Sequence, residues 1–177
     1  IQIAFKYGSS GAGVDTWEVK NLKVFGDGGG EVVDPNPPTP PVPGGTVKVA
    51  PSQLTVPGET AVDGYKILID KNTGTTAPLV YKDGMLRLYA NNTMVVSGSR
   101  ITKIVFSVAS TSSKRYTTMA CSTGSITPAQ ASGDTQFTWV GDAASVTFTV
   151  GLDATLGSEG PSKRGQIHLS GLEIYGN

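Results

Sequence analysis

The chain has 177 residues, and its 14 basic side chains balance 14 acidic ones. This balance removes the long-range attraction that drives nucleic-acid or anionic-membrane binding, and no stretch approaches the ~18 apolar residues of a membrane-spanning helix. Only 16% of the residues are charged, whereas 23 Gly, 20 Thr and 16 Ser favour short strands joined by tight turns.

The first predicted element is a pair of strands in residues 1–26, which repeats the pattern that closes the chain. Residues 17–26 align with 167–176, and residues 3–8 align with 146–151, with apolar positions coinciding. We interpret residues 1–26 as the closing strands of a truncated upstream β-sandwich domain. Two strands alone cannot bury an apolar face. We therefore expect them to pack on a missing upstream domain, on the second domain, or on a neighbouring molecule in a strand-exchanged dimer.

Residues 27–45 form a predicted linker between the two domains. A glycine run is followed by residues 35–43, which hold six of the eleven prolines. Such a run favours polyproline II and acts as a semi-rigid spacer. The same run contains P-x-x-P spacings that adaptor domains bind, but its place between two similar domains favours the spacer interpretation.

Residues 46–177 are predicted to form one complete all-β domain, a two-sheet antiparallel β-sandwich of the jelly-roll type. Alternation of apolar and polar residues is clear around Ile104, Phe106 and Val108. Apolar positions change phase at residues 170–171, which predicts a β-bulge. The predicted strands are 46–49, 54–56, 65–69, 79–81, 85–90, 93–97, 101–109, 116–121, 135–140, 145–150 and 166–175.

Several strings of this domain resemble a module of secreted and lipid-anchored surface proteins from Gram-negative gut anaerobes. The strings are A-P-L-V-Y at 77–81, D-G-M-L-R-L-Y at 83–89, N-T-M-V-V-S at 92–97, I-T-K-I-V-F at 101–106, W-V-G-D-A-A-S-V-T-F-T-V at 139–150 and Q-I-H-L-S-G-L-E-I at 166–174. Residues 3–7 and 16–22 resemble the end of a choice-of-anchor jelly roll. The resemblance implies a galactose-binding-like or carbohydrate-binding β-sandwich in an extracytoplasmic protein, either secreted or a surface lipoprotein. It implies no ligand residues.

The candidate site residues are chosen on the hypothesis that the domain binds carbohydrate. Sugar sites on β-sandwiches combine aromatic rings, which stack on pyranose faces, with carboxylate, amide and guanidinium groups that bind hydroxyls. Arg87 and Tyr89 share one strand face, although strand aromatics often pack in cores and an arginine often forms a cross-strand ion pair. The candidate ligand-binding residues are Tyr81, Asp83, Arg87, Tyr89, Asn91 and Trp139.

The sequence gives less support for metal binding, for catalysis or for a reactive cysteine. Residues 70–74 begin like a calcium loop but lack its distal glutamate, so an Asx turn is the preferred interpretation, and no metal or other cofactor is predicted. The only histidine, His168, has no evident catalytic partner, and no motif pairs two carboxylates, so an enzyme is not predicted. The only cysteine, Cys121, is expected to be a small packing residue.

Two functions follow as hypotheses. The first is a non-catalytic carbohydrate-binding accessory module of a secreted or cell-surface bacterial protein, with a glycan as partner. The alternative is a structural spacer or adhesion β-sandwich without a small-molecule ligand. An exposed line of aromatic residues on one sheet would favour the first, and a surface of Thr, Ser and Lys alone would favour the second.

Overall fold

A computed structural model describes residues 45–176, so the predictions for residues 1–26 and nearly all of the linker lie outside the described residues. The described part is all-β, with two 3-10 turns at Pro51–Gln53 and Ser110–Ser112 and no α-helix. Its strands are β1 Thr46–Val49, β2 Gly58–Val62, β3 Tyr65–Asp70, β4 Leu79–Val80, β5 Leu86–Tyr89, β6 Thr93–Val108, β7 Met119–Cys121, β8 Ser125–Ile126, β9 Gln136–Val150 and β10 Gln166–Gly176.

The strands form one curled antiparallel sheet around two long strands, β6 and β9, which pair with each other from Thr93↔Thr149 to Ser107↔Gln136. The first part of β6 also pairs with β3, and the second part pairs with β10. On its other edge, β10 pairs with β5 near its start and with β1 near its end. The register of the β6–β9 ladder shifts on both sides of Ile101, and such bulges bend strands.

The concave side of the sheet holds a core of aliphatic and aromatic side chains. Phe106 stacks on Phe137 with 4.6 Å between ring centroids and meets Phe148 edge-on at 4.9 Å. Trp139 meets Phe148 edge-on at 6.2 Å, and its indole Nε1 donates to the carbonyl of Thr123 at 2.7 Å. Edge-on and offset contacts of this kind suit the quadrupoles of the rings. The indole is fully buried and all its polar capacity is used inside the protein.

Most of the predicted strands are present, with corrections at their limits, such as β7, which covers only the second half of 116–121. The strand expected at 54–56 is wrong: a 3-10 turn precedes it, and Pro51 and Pro57, which cannot donate to a ladder, flank this segment. Strands β2 and β8 have no predicted counterpart: no position of β2 is fully buried, so its alternation is weak, and β8 has only two residues. The predicted pairs 93–97 with 101–109, and 135–140 with 145–150, are single long strands. The bulge near residue 170 is confirmed by a register shift between Leu169 and Gly171.

We expect Trp139→Ala to lower the free energy of unfolding by about 3–5 kcal/mol, because it leaves a cavity in the core beside Phe148. The neighbouring Val140 is 38% exposed and serves as a matched control. Val140→Ala should change the stability by less than about 0.5 kcal/mol. Urea denaturation measures both values, and equal effects of the two substitutions would contradict the burial of Trp139.

Candidate functional site

The β4–β5 hairpin sets the position of the first predicted site residues. The Gly84 amide donates to the Tyr81 carbonyl at 2.8 Å, and the Tyr81 amide donates to the Met85 carbonyl at 2.9 Å. Gly84 has a φ of +80°, which a side chain at this position would strain. Oδ1 of Asp83 accepts from the Met85 amide at 3.1 Å. The result is a tight turn with a glycine bulge, a common three-residue hairpin loop, in which Tyr81 and Asp83 are held beside the start of β5.

Arg87 connects these two side chains. Its Nη2 donates to Oδ2 of Asp83 at 2.5 Å, and its guanidinium carbon lies 3.7 Å from the centroid of the Tyr81 ring. The backbone of Arg87 lies opposite Leu79 in β4 and opposite His168 in β10. We call Tyr81, Asp83 and Arg87 the Tyr81 platform. Among the described residues, Nε of Arg87 is buried and finds no hydrogen-bond acceptor, so the contacts use only part of its donor capacity.

The Tyr81 platform is accessible and charged. Tyr81 is 37% exposed, and the Asp83 and Arg87 side chains are 33% and 21% exposed. The Met85 amide and then Arg87 hold the pKa of Asp83 below its ordinary value, and Asp83 raises the pKa of Arg87. Both groups are therefore ionised at neutral pH. The arrangement offers a stacking ring, two carboxylate oxygens that can accept further hydrogen bonds, and a partly exposed guanidinium group whose Nε is buried.

His168 lies under the edge of this surface, and the sequence analysis gave it no role. Only 5% of it is exposed; its Nδ1 lies 2.9 Å from Oγ1 of Thr111 and its Nε2 lies 3.2 Å from Oε1 of Gln166. Burial and then the positive charge of Arg87 lower its pKa to about 4. The ring is therefore neutral, and the contacts fit a tautomer in which Nδ1 accepts from Thr111 and Nε2 donates to Gln166.

The contact of Thr111 with His168 has the spacing of a nucleophile and its general base, but the electrostatics oppose that role. A general base must carry a proton during the reaction. Burial and Arg87 both disfavour the imidazolium form, and the Gln166 amide bears no charge that would stabilise it. His168 instead connects β10 to the segment that contains Thr111 by hydrogen bonds.

The remaining predicted site residues lie elsewhere. Tyr89 is half-buried on the same strand face as Arg87, opposite Gln166. Asn91 has a φ of 63° in the turn after β5, and its carbonyl accepts from Nδ2 of Asn72 at 3.3 Å, so it belongs to the opposite end of the hairpin strand. The fully buried Trp139 cannot stack on a ligand, which corrects its assignment as a site residue.

The structure also bears on the predicted Asx turn at residues 70–74 and on the cysteine. The Asn72 amide donates to Oδ1 of Asp70, which is the Asx turn that the sequence analysis preferred. Residues 45–176 contain no group of three His, Cys, Asp or Glu side chains that could hold a metal ion. Cys121 is half-buried and packs against the core, as expected of a small packing residue.

Comparisons with known proteins give no relative from which a function could be transferred. The chain matches no protein-family model and no curated protein. Within the described segment 45–176, no helix is long and apolar enough to cross a bilayer. Function is therefore inferred from the contacts of the described residues.

The stability of the domain should depend on the protonation of His168. Its folded pKa of about 4 lies below its ordinary value of 6.5, so the unfolded chain binds the proton first as the pH falls. We expect roughly 2–3 kcal/mol of stability to be lost between those two pH values, with no further loss from this group below them.

Urea denaturation across this pH range measures the loss, and NMR titration of the chain's one histidine measures its pKa directly. His168→Gln is the control, which should flatten the pH dependence near pH 6, where carboxylates stay ionised. An imidazole pKa of 6.5 or above in the folded protein would contradict the burial of the ring.

Proposed function

We propose that this chain is a non-catalytic carbohydrate-binding module and that the Tyr81 platform is its ligand site. The observation that carries the proposal is an exposed tyrosine ring held in place by Arg87, which is itself held by Asp83. Pyranose rings present a face of C–H groups that packs on an aromatic ring, and their hydroxyls need hydrogen-bond partners at its rim. The Tyr81 platform supplies both kinds of group.

The fixed geometry of the Tyr81 platform favours binding. A free tyrosine or arginine side chain loses rotamer freedom when a ligand immobilises it, at about 0.5–1.5 kcal/mol per side chain. Here the cation–π contact and the ion pair have already restricted Tyr81 and Arg87. Asp83 is further fixed by the Met85 amide, so its carboxylate is oriented before a ligand arrives. Less entropy remains to be lost on binding.

The proposal also covers the type of fold and the location of the protein. We take the curled sheet as a β-sandwich of the jelly-roll type and the protein as secreted or attached to a bacterial cell surface. The resemblance of residues 77–106 and 139–174 to modules of such proteins supports this, together with the Thr- and Ser-rich composition. The proline-rich run would then separate this module from the domain that residues 1–26 close.

A structural spacer is the second candidate, and one observation favours it. Among the described aromatic residues, Tyr81 alone is prominently exposed; Tyr89 and Tyr175 are half-buried, and the others lie in the core. The surface therefore lacks the line of aromatic residues that many extended glycan sites need. Several surface charges are also paired with each other, for example Arg100 with Asp142 at 2.9 Å.

A matched pair of tyrosine variants decides between the candidates. Tyr175 is also braced by a cation and a carboxylate, because Nζ of Lys103 lies 3.7 Å from its ring centroid and its hydroxyl donates to Glu173 at 2.8 Å. We expect Tyr81→Ala to weaken glycan binding about tenfold or more, whereas Tyr175→Ala should leave it within about twofold.

A glycan array followed by affinity electrophoresis of the full chain measures the effect. Circular dichroism must show that both variants stay folded. Binding that survives Tyr81→Ala, or the absence of binding to host, plant and microbial glycans, would contradict the carbohydrate-binding proposal and favour the spacer.

A further inference from the structure

Two basic pairs that lie far apart in the sequence converge in the structure. The segments that carry Lys114-Arg115 and Lys163-Arg164 lie side by side, since the Glu159 amide donates to the Lys114 carbonyl at 2.9 Å and the Lys163 amide donates to the Gly160 carbonyl at 3.1 Å. Nε of Arg115 donates to Oε2 of Glu159 at 2.7 Å. Arg115, together with the nearby charges of Lys114 and Lys163, lowers the pKa of Glu159. We call Lys114, Arg115 and Lys163 the cationic cluster; it surrounds a single carboxylate.

The cationic cluster lies across β10 from Tyr89, which is two residues along β5 from Arg87 of the Tyr81 platform. The Gln166 amide at the start of β10 donates to the Arg115 carbonyl at 2.8 Å, and Gln166 lies opposite Tyr89 of β5 on its other side. The Arg115 and Tyr89 backbones are therefore about two strand spacings, or about 10 Å, apart, and Arg87 lies about 7 Å further along β5. Tyr81 lies beyond Arg87, next to β4, so the ligand that reaches both surfaces is an oligosaccharide of several sugars.

Positive charges outnumber negative charges around the Tyr81 platform and the cationic cluster. Six cations lie around these two groups of residues: Lys82, Arg87 and the members of the two basic pairs. Four carboxylates lie among them: Asp83, Asp153, Glu159 and Asp134, whose Oδ2 accepts from the Tyr116 hydroxyl at 3.2 Å. The difference is an excess of two positive charges, in a chain whose net charge is zero. Nζ of Lys82 lies 5.7 Å from the centroid of the Tyr81 ring, so part of this excess lies at the Tyr81 platform itself. Lys82, Lys114 and Lys163 are exposed.

We propose that the ligand is an acidic glycan, whose sugar ring stacks on Tyr81 while its carboxylate or sulfate groups bind Arg87 and the cationic cluster. This inference rests on the proposed function. Hydrogen bonds between charged groups are roughly twice as strong as neutral ones, and the guanidinium fork matches the geometry of carboxylates and sulfates. A neutral glycan would leave the exposed lysines without a partner. The electrostatic attraction acts only near these cations, since charges are screened beyond about 8 Å at physiological salt.

Affinity electrophoresis of the full chain tests the charge of the ligand. Polygalacturonate carries only carboxylates, dextran sulfate only sulfates, and carboxyl-reduced polygalacturonate has the same backbone without charge. We expect retardation by polygalacturonate or dextran sulfate, which identifies the anionic group, and none by the reduced polymer or dextran. Retardation by neutral polymers alone, if lost in Tyr81→Ala, would overturn the acidic glycan and keep the carbohydrate-binding proposal. No retardation by any polymer, together with a blank glycan array, would overturn both.

Charge-matched variants locate the binding surface. The double variant Lys114→Gln, Lys163→Gln should weaken retardation by the acidic polymer about tenfold and reduce its salt dependence. The double variant Lys66→Gln, Lys71→Gln removes the same charge from exposed positions on and beside β3 and should stay within twofold. Equal effects of the two double variants, or equal binding of double-stranded DNA, would show unspecific attraction and overturn the proposal.

Discussion

The pairing of β6 with β9 is the constraint on which the rest of the described structure depends. These two strands run side by side through a bend, and each contributes inward-facing rings to the core, including Phe106 from β6 and Phe148 from β9. The second part of β6 pairs with β10, and β10 pairs with β5. Strand β5 forms the hairpin with β4 that contains Tyr81. The site is thus positioned by a ladder of backbone hydrogen bonds that begins in the core.

The start of β10 is the junction of this ladder with the functional surface. Ile167 and Leu169 point into the core. Gln166 and His168 lie on the other face of the strand, between β5 and the segment that contains Thr111 and Arg115, and this segment covers His168. The neutral His168 ring forms hydrogen bonds with Thr111 on one side and with Gln166 of its own strand, without adding charge. Burial is the main reason that the pKa of His168 is low, and Arg87 lowers it further; the same arginine packs on the Tyr81 ring.

Local patterns in the sequence predicted part of this surface. The alternation of Leu86, Arg87, Leu88 and Tyr89 indicates which residues face outward, and the Asp-Gly pair indicates the turn, so the grouping of Tyr81, Asp83 and Arg87 followed from short-range rules. The bulge in β10 followed in the same way from a change of phase. Such signals act over a few residues, where the chain geometry itself fixes the neighbours.

The sequence-based predictions failed where they concerned how deeply a side chain is buried and which distant segments are in contact. Alternation indicates that Trp139 shares a face with Phe137, but not that this face is fully buried against Phe148. The convergence of the two basic pairs depends on loops that meet through backbone contacts more than forty residues apart, for which no local pattern exists. For the same reason, His168 in a terminal strand gave no sign that Thr111 would cover it.

An NMR titration of the isotopically labelled full chain, using oligosaccharides cut from the best-binding glycan of the array, tests the central claim most directly. The account predicts that chemical-shift changes concentrate at Tyr81, Met85 and Arg87, with a second group at Lys114 and Arg115. The Nε–H signal of Arg87 should move with them. Changes confined to β3 around the exposed Leu68, or no changes at saturating ligand, would contradict it.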